Sequence, residues 1–343
     1  MLITKSTPKF HLISAVGLLL FFLLGISLQT HAEPCKNFSG IDAAKSFLIV
    51  GHRGVAGLRP ENTLAGFSHA LDLGVDAIEL DVLMTADKKL VVHHDFGLKP
   101  EIARLPGGTW LNNGKRIQIN KMTVPELKIF DVGRLNPNTR YASRYPDQEP
   151  SDGERIPLLR EVIQLTKTSG RESVQLWIEI KTTPETPGLT PSPETVTEKV
   201  LALLQAQQFT RRVKILSFDW RSLIHIQKIA PSIPTVYLTS DTKQFKAASF
   251  MNPWESEWTA GFNIGDYQGS IPQTIMAAGG NWWAPKYTQI NAKQVKAAHR
   301  LGICVSVWTP DSKRAIKNMI ELGVDAIITN RPDRLLQVAG SSN

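Results

Sequence analysis

The alternation of short apolar strands with amphipathic helices is the feature that most constrains the fold of this 343-residue chain. Parallel strands need a long crossover connection, usually a helix, so this order predicts a parallel sheet wrapped by helices. The predicted strands are Phe47–Gly51, Asp76–Leu83, Leu90–His93, Val174–Ile180, Val213–Phe218, Thr235–Thr239, Trp282–Pro285, Ile303–Trp308 and Ala326–Thr329. The helices predicted between them are Leu64–Leu73, Pro193–Gln207, Arg221–Ile229, Ala292–Leu301 and Asp311–Leu322.

Nine predicted strands are one more than a closed eight-stranded α/β barrel requires. The third strand could be the return arm of a hairpin that rises from the second strand across the polar turn 85–89. An open doubly wound sheet is the alternative architecture, although the sequence lacks the Gly-x-Gly-x-x-Gly turn that would support a dinucleotide site.

Residues 96–155 interrupt the alternation. They are rich in Gly, Pro, Asn and charged residues and show little periodicity. About sixty residues of this kind inside a compact domain predict a functional insertion rather than a connecting loop. The insertion contains a short capped helix at Met122–Leu127, and a longer helix opens at Ile156–Val162.

Residues 1–32 have the pattern of an export signal. Lys5 and Lys9 precede an apolar run over residues 12–28, and Thr30 and Ala32 stand at the −3 and −1 positions of a cleavage site. We therefore expect an exported protein, periplasmic or secreted if it is bacterial, in which residues 33–343 form a single catalytic domain. An uncleaved membrane anchor is the alternative, because the apolar run is only slightly shorter than a bilayer-spanning helix.

The distribution of charged residues indicates which classes of molecule the protein binds. The formal net charge is +8, but the basic residues are scattered and are not interleaved with aromatic ones. This pattern gives little support to nucleic-acid binding. A mildly basic surface instead favours phosphate-bearing small molecules and transient contact with an anionic membrane surface. No protein partner is indicated.

The chain has two cysteines, Cys35 and Cys304, which do not have metal-ligand spacing. Cys304 lies in an apolar run and is interpreted first as a small buried hydrophobe. An exported protein would also permit a disulfide between the two.

Two predicted strands each carry a pair of charged residues. Glu79 and Asp81 are two residues apart and so share one face of their strand, as do Glu179 and Lys181 on theirs. In a barrel, the inward face at the C-terminal ends of the strands is where active sites lie. Three carboxylates that converge there would repel unless they were protonated or shared a cation, and an all-oxygen set prefers one Ca²⁺ or Mg²⁺.

Histidine, arginine and lysine residues lie at or just after the ends of predicted strands. His52 ends the first strand, and His93-His94-Asp95 ends the third. Two imidazoles that flank a phosphoryl group would serve as general base and general acid, and Arg53 and Lys181 could bind its oxygens. Alternation along a strand places one of His93 and His94 inward and does not choose between them.

These residues resemble, in order, the motifs of the glycerophosphodiester phosphodiesterase family. The resemblance covers nearly the whole chain after the leader, and each motif is weak alone but strong in the ordered set. The matching segments are His52-Arg53-Gly54, Pro60-Glu61-Asn62-Thr63, Ile78-Glu79-Leu80-Asp81-Val82, Val91-Val92-His93-His94-Asp95, Ile178-Glu179-Ile180-Lys181, Ser217-Phe218-Asp219, Val307-Trp308-Thr309 and the run from Gly323 to Asp333.

The resemblance implies a (β/α)8 TIM-type barrel with an irregular insertion after the third strand. It also implies an assignment of roles. His52 and His94 match the acid/base pair, Arg53 and Lys181 match the positions that contact phosphate, and Glu79, Asp81 and Glu179 match the metal carboxylates. The family pattern at the end of the third strand is His-Asp, which selects His94 as the inward histidine.

Three further residues complete the predicted site. Glu61 is predicted to contact the site from outside, near Arg53 or the metal. The alternative is that Glu61 is only a carboxylate in the first turn before a helix. Phe218 and Trp308 end strands and are predicted to line the face that receives glycerol, although both could equally be packed core.

The implied reaction is cation-dependent hydrolysis of a glycerophosphodiester to glycerol 3-phosphate and an alcohol. A lysophospholipase D that acts on lipid phosphodiesters would use the same barrel chemistry. A binding protein without catalysis is the alternative of a different class, but every matched position carries the expected residue type.

Overall fold

The computed structural model of this protein describes residue 35 and residues 47–112, 117–240 and 257–340. The expected leader, residues 1–32, lies outside the described residues. Within the described ranges, none of the helices has both the length and the apolar character needed to cross a membrane.

In this part of the chain, nine strands form one sheet in the order β1-β9-β8-β7-β6-β5-β4-β2-β3, and β1 also pairs with β2. This second pairing closes eight parallel strands into a barrel and leaves β3 outside it. The open-sheet alternative is thereby excluded. The strands are β1 Leu48–Gly51, β2 Ala77–Met84, β3 Leu90–Val92, β4 Gln175–Ile180, β5 Val213–Ser217, β6 Thr235–Thr239, β7 Trp282–Pro285, β8 Cys304–Trp308 and β9 Ala326–Thr329.

The ninth strand is a hairpin arm. β3 runs antiparallel to β2, with Val82 opposite Val92 and Met84 opposite Leu90. The polar turn between them matches the hairpin considered from the sequence. The hairpin arm runs back along β2 from its C-terminal end, so that the His93 N–H donates to the Asp81 carbonyl at 3.0 Å and His94 lies near the Asp81 carboxylate.

Helices cover the outside of the barrel. Two of them, α6 and α9, were not predicted from the sequence. Helix α1 has the predicted boundaries, and the predicted boundaries of the other helices are correct to within three residues. The helices are α1 Leu64–Leu73, α2 Val124–Leu127, α3 Leu159–Thr168, α4 Pro193–Ala206, α5 Trp220–Ile229, α6 Ile271–Ala277, α7 Ala292–Arg300, α8 Lys313–Glu321 and α9 Pro332–Gly340.

Helix α1 shows how local sequence sets these elements. Its first turn is capped by Thr63, whose Oγ1 accepts a hydrogen bond from the Gly66 N–H at 3.1 Å. Phe67 and Ala70 are fully buried against the sheet. Gly74 ends the helix with a positive φ of 84°, a conformation that glycine adopts without a steric penalty.

The barrel interior is filled by alternate residues of each strand. The buried cluster inside the barrel contains Leu48, Val50, Ala77, Trp177, Leu216, Val236, Leu238, Trp282, Ala284, Ala326 and Ile328. Polar and aromatic side chains replace the aliphatic ones further along the same inward faces. This change marks the C-terminal mouth of the barrel.

The irregular insertion has its own small core. Leu98, Ile119, Leu127 and Phe130 are buried together against Val91 of the hairpin. The insertion is therefore a packed layer beside the barrel rather than an open loop, which agrees with the absence of a simple helical or strand period.

The structure corrects the first interpretation of the cysteines. Cys304, at the start of β8, forms a disulfide with Cys35, and the two Cα atoms are 5.6 Å apart. Both residues belong to the cluster inside the barrel. Cys304 is thus buried, as expected, and it also cross-links Cys35 to the first residue of β8.

Replacing Cys304 with Ser should lower the free energy of unfolding by about 2–5 kcal/mol, because the unfolded chain is no longer cross-linked over a long loop. The bonded residues are 269 positions apart. Urea unfolding with and without reductant measures the effect. Reductant should destabilise the wild type and leave Cys304→Ser unchanged, and equal stabilities of oxidised wild type and variant would contradict the prediction.

Candidate active site

The predicted site residues meet at the C-terminal ends of the barrel strands. The register pairs Asp81 of β2 with Glu179 of β4, which places two of the predicted carboxylates side by side. A cavity of about 630 Å³ opens above them, and a smaller one of about 80 Å³ adjoins it. Residues that line both cavities are Arg53, His94, Glu179, Phe218 and Trp308.

Three buried carboxylates form the centre of the site. Oxygens of Glu79, Asp81 and Glu179 lie within 4.8 Å of one another, and these residues are 3%, 1% and 8% exposed. Burial and mutual repulsion raise the pKa of Glu79 well above its usual range and that of Glu179 to about 7. Burial acts against ionisation of Asp81 too, but His94 when it is protonated, together with the positive charges of Lys181 and Arg53, holds the pKa of Asp81 well below the usual range.

The donor set fits a hard divalent cation. One oxygen of Asp81, Oδ1, is buried and has no hydrogen-bond partner among the described residues. A buried acceptor without a partner is costly, and three converging carboxylates carry charge that a cation would neutralise. Because the donors are all oxygens, they suit Ca²⁺ or Mg²⁺ better than zinc.

Two positively charged side chains, Arg53 and Lys181, border the carboxylates. The Arg53 backbone N–H donates to Glu79 Oε2 at 2.9 Å, and its Nε lies 3.5 Å from Asp81 Oδ2. Lys181 Nζ donates to Glu179 Oε1 at 2.7 Å and lies 3.5 Å from Asp81 Oδ1. Both cationic side chains also line the larger cavity, where an anionic group would meet them.

His52 is fixed in one orientation. Its Nδ1 is 2.6 Å from Oδ1 of Asn330, whose own Nδ2 donates to Asp311 Oδ2 at 2.8 Å. Since the asparagine oxygen can only accept, Nδ1 carries the proton and Nε2 keeps its lone pair. Burial and the charge of Arg53 lower the pKa of His52 to about 3, so the imidazole is neutral.

His94 lines both cavities, whereas His93 is buried and is not among their lining residues. His94 Nδ1 lies 3.3 Å from Asp95 Oδ2, and Lys99 also forms an ion pair with that carboxylate. Burial and the charges of Arg53 and Lys181 lower the pKa of His94 to about 4. Both histidines of the predicted pair therefore line the smaller cavity as neutral imidazoles.

The second position of the Pro-Glu-Asn-Thr motif contacts Arg53. Glu61 Oε1 accepts a hydrogen bond from Arg53 Nη1 at 2.9 Å. Burial opposes ionisation of Glu61, but Arg53 and Lys99 lower its pKa, so the carboxylate stays charged. The sequence allowed Glu61 either to lie near Arg53 or to act only in the first turn before a helix, and the structure shows the contact with Arg53. The next residue, Asn62, donates through Nδ2 to Asp81 Oδ2 at 2.9 Å.

Phe218 and Trp308 form one aromatic wall. Their rings meet edge to face with centroids 5.5 Å apart, and the Trp308 Nε1–H donates to the Ala284 carbonyl at 2.9 Å. Because both line the cavities, they are placed at the mouth rather than in the packed interior. This wall is the apolar side of a site that is otherwise charged.

Several residues at the site had no role in the sequence interpretation. Asn330 stood in a quoted motif, and its inward position could have been inferred because it lies two residues after Ile328 of the barrel interior. Lys286 lies two residues after Ala284 in the same way and lines the larger cavity. Arg144 lies in the insertion, also lines the larger cavity, and no local pattern marks it.

The comparisons with known proteins agree with this site. Residues 52–334 match the sequence model of the glycerophosphoryl diester phosphodiesterase family. The glycerophosphodiester phosphodiesterase of Caldanaerobacter subterraneus subsp. tengcongensis is 29% identical over 291 residues, which are 85% of this chain and 97% of that protein.

Two solved structures share the fold. A candidate glycerophosphoryl diester phosphodiesterase from Silicibacter pomeroyi DSS-3 aligns with a TM-score of 0.77 and 31% identity, covering 90% of this chain and 98% of its own. An Oleispira antarctica phosphodiesterase, solved with the product sn-glycerol-3-phosphate, aligns with a TM-score of 0.61 and 20% identity, covering 85% and 96%. With the family match extending over most of the barrel, the chain belongs to the glycerophosphoryl diester phosphodiesterase family of enzymes.

Proposed function

We propose that this enzyme hydrolyses glycerophosphodiesters to glycerol 3-phosphate and an alcohol, with a divalent cation and two histidines. The observation that carries the proposal is the convergence of three carboxylates, two cations and two neutral imidazoles at one barrel mouth. The Oleispira antarctica enzyme of the same fold was solved with glycerol 3-phosphate as its product. That finding supports the choice of substrate.

Glu79, Asp81 and Glu179 would hold the cation, which could be Ca²⁺ or Mg²⁺. When bound, it supplies Lewis-acid stabilisation of negative charge on the phosphoryl group. Its charge would also stabilise the ionised forms of Glu79 and Glu179, whose pKa values are raised by burial and by repulsion from neighbouring carboxylates. Asn62 orients Asp81 for this role through its hydrogen bond to Oδ2.

Arg53 and Lys181 would bind the phosphoryl oxygens. The guanidinium offers several donors in a fixed plane, whereas the lysine ammonium acts as a compact charge. Both side chains are held by carboxylates before substrate arrives, which reduces the cost of ordering them. Phe218 and Trp308 would pack against the carbon skeleton of glycerol and exclude water from that side.

His52 is suited to be the general base. Asn330 and Asp311 fix the proton on Nδ1, so Nε2 can accept a proton from the attacking hydroxyl. His94 would then protonate the leaving alkoxide. An anionic substrate next to Arg53 and Lys181 would offset the charges that hold the pKa of His94 down, and so favour its protonated form.

Replacing His52 or His94 with Ala should each lower kcat by about 10²–10⁴-fold, which is the usual contribution of a general acid or base. The fold should survive, because neither side chain belongs to the aliphatic core. Initial rates of glycerol 3-phosphate release and circular dichroism measure the two properties. His225→Ala is the control, since His225 pairs with Glu198 on the outer helices. Near-normal turnover in either variant would remove that histidine from the mechanism.

Chelation should abolish release of glycerol 3-phosphate from a panel of glycerophosphodiesters, and added Ca²⁺ or Mg²⁺ should restore it. Glu179→Gln should raise the cation concentration needed for half-maximal activity by at least about tenfold, because it removes one charged ligand. Glu198→Gln, on the outside of the barrel, is the matched control. Full activity in the presence of chelator would refute the role of the cation.

A lysophospholipase D activity is the second candidate, and the cavity gives it some support. Apolar residues continue along the larger cavity beyond the carboxylates, and Phe96, Leu189 and Trp258 are among its lining. Such a wall could receive an acyl chain. Comparison of glycerophosphocholine with lysophosphatidylcholine as substrates separates the two activities, and a preference for the lipid would favour the second candidate.

We propose that the protein is exported. Residues 1–32 have the pattern of a signal, and the disulfide of Cys35 begins three residues after the expected cleavage site. Disulfides persist mainly in oxidising compartments, which favours a location outside the cytoplasm.

N-terminal sequencing of the protein from the extracytoplasmic fraction should begin at Glu33, because cleavage is expected after Ala32. Retention of residues 1–32 in the membrane fraction would support the anchor instead. Recovery of soluble protein with reduced cysteines in the cytoplasm would contradict export.

A further inference from the structure

We infer that Tyr141, a residue of the irregular insertion, positions Arg53 for its contact with the phosphoryl group by fixing the Glu61 carboxylate. The inference rests on the proposed function, because it assigns a task to a residue behind the phosphate-binding guanidinium. Tyr141 itself is not a catalytic residue. Tyr141 acts through the carboxylate of Glu61.

The connection is a chain of hydrogen bonds. The Tyr141 hydroxyl donates to Glu61 Oε2, and the other oxygen, Oε1, accepts from Arg53 Nη1 at 2.9 Å. The Glu61 side chain is 4% exposed, so water cannot readily replace either partner. With one partner on each oxygen, the carboxylate plane is fixed, and the position of Nη1 is fixed with it.

Arg53 needs this restraint because other carboxylates compete for it. Its Nε is already 3.5 Å from Asp81 Oδ2, and its backbone N–H donates to Glu79. A guanidinium free to move would be drawn towards those charges and away from the cavity. Glu61 holds the outer end of Arg53 on the opposite side, and Tyr141 holds Glu61.

The aromatic ring of Tyr141 is itself held in place. Lys99 Nζ lies 5.2 Å from the ring centroid, and the Tyr145 ring meets it edge to face at 5.4 Å. Burial and the negative charge of Glu61 raise the pKa of Tyr141 well above its usual range. The hydroxyl therefore keeps its proton and remains a donor.

The same part of the insertion is fastened to the loop that carries Arg53 and Glu61. Gln148 Nε2 donates to the Ala56 carbonyl at 2.7 Å, and the Glu149 N–H donates to the Leu58 carbonyl at 2.9 Å. Because these contacts hold the two backbones together, the hydroxyl of Tyr141 reaches Glu61 from a stable position.

The test is Tyr141→Phe, which removes the hydroxyl and keeps the ring. A hydrogen bond to a charged group supports an effect of about tenfold, so KM for glycerophosphocholine and the Kd for glycerol 3-phosphate should each rise by about that factor. The change in kcat should be smaller, because the histidines and carboxylates are untouched. Tyr237→Phe removes a buried hydroxyl that donates to the Ala278 carbonyl and lines neither cavity, so it should leave all three constants unchanged.

A double-variant comparison identifies the route. If Tyr141 acts through Glu61, Tyr141→Phe should add nothing to the loss already caused by Glu61→Gln. If the double variant instead loses affinity by the product of the two single-variant factors, the two residues act independently and the inference is overturned. An unchanged KM and Kd in Tyr141→Phe would also overturn it, even if the melting temperature fell, because that result describes a purely structural role.

Calorimetric binding of glycerol 3-phosphate separates this inference from the proposed function. A wild type that binds glycerol 3-phosphate but releases none from glycerophosphodiesters would refute the proposed hydrolysis, and the effect of Tyr141→Phe on Kd would still decide the inference. A wild type that neither binds nor hydrolyses would overturn both.

Discussion

Repulsion among Glu79, Asp81 and Glu179 is the constraint on which the rest of the site depends. Strand register forces Asp81 and Glu179 to be neighbours, and alternation along β2 adds Glu79 on the same face. Three buried carboxylates are stable only beside compensating positive charge. Arg53 and Lys181 provide part of it, and this explains why the side chains proposed to bind phosphate lie in one cluster with the carboxylates proposed to hold the cation.

The parts of the site that could be predicted are those set by local sequence. Period-two alternation placed Glu79 with Asp81, and Glu179 with Lys181, on inward faces, and the structure places them there. Strand patterns likewise predicted nine strands, but they left open whether the third strand belongs to the barrel or to a hairpin and whether the sheet is closed. The family resemblance was needed for the closed barrel and for the choice of His94 over His93, because alternation allows either histidine to face inward.

The parts that could not be predicted depend on contacts between distant segments. Asn330 meets His52 across 278 residues, and the disulfide joins residues 269 positions apart. Tyr141 lies in an insertion without helical or strand period, where no pattern specifies which side chain turns towards the barrel. Helix α6 has only 7 residues, so its periodic signal extends over about two turns.

Barrel closure between β1 and β9 has a consequence for the timing of activity. β1 gains its second neighbour only when β9, the last strand of the described residues, has been synthesised. The His52–Asn330 contact forms across the same seam, so in an unfinished chain the imidazole of His52 is not yet oriented. If His52 is the base as proposed, a nascent chain is chemically silent towards phosphodiesters until its barrel closes.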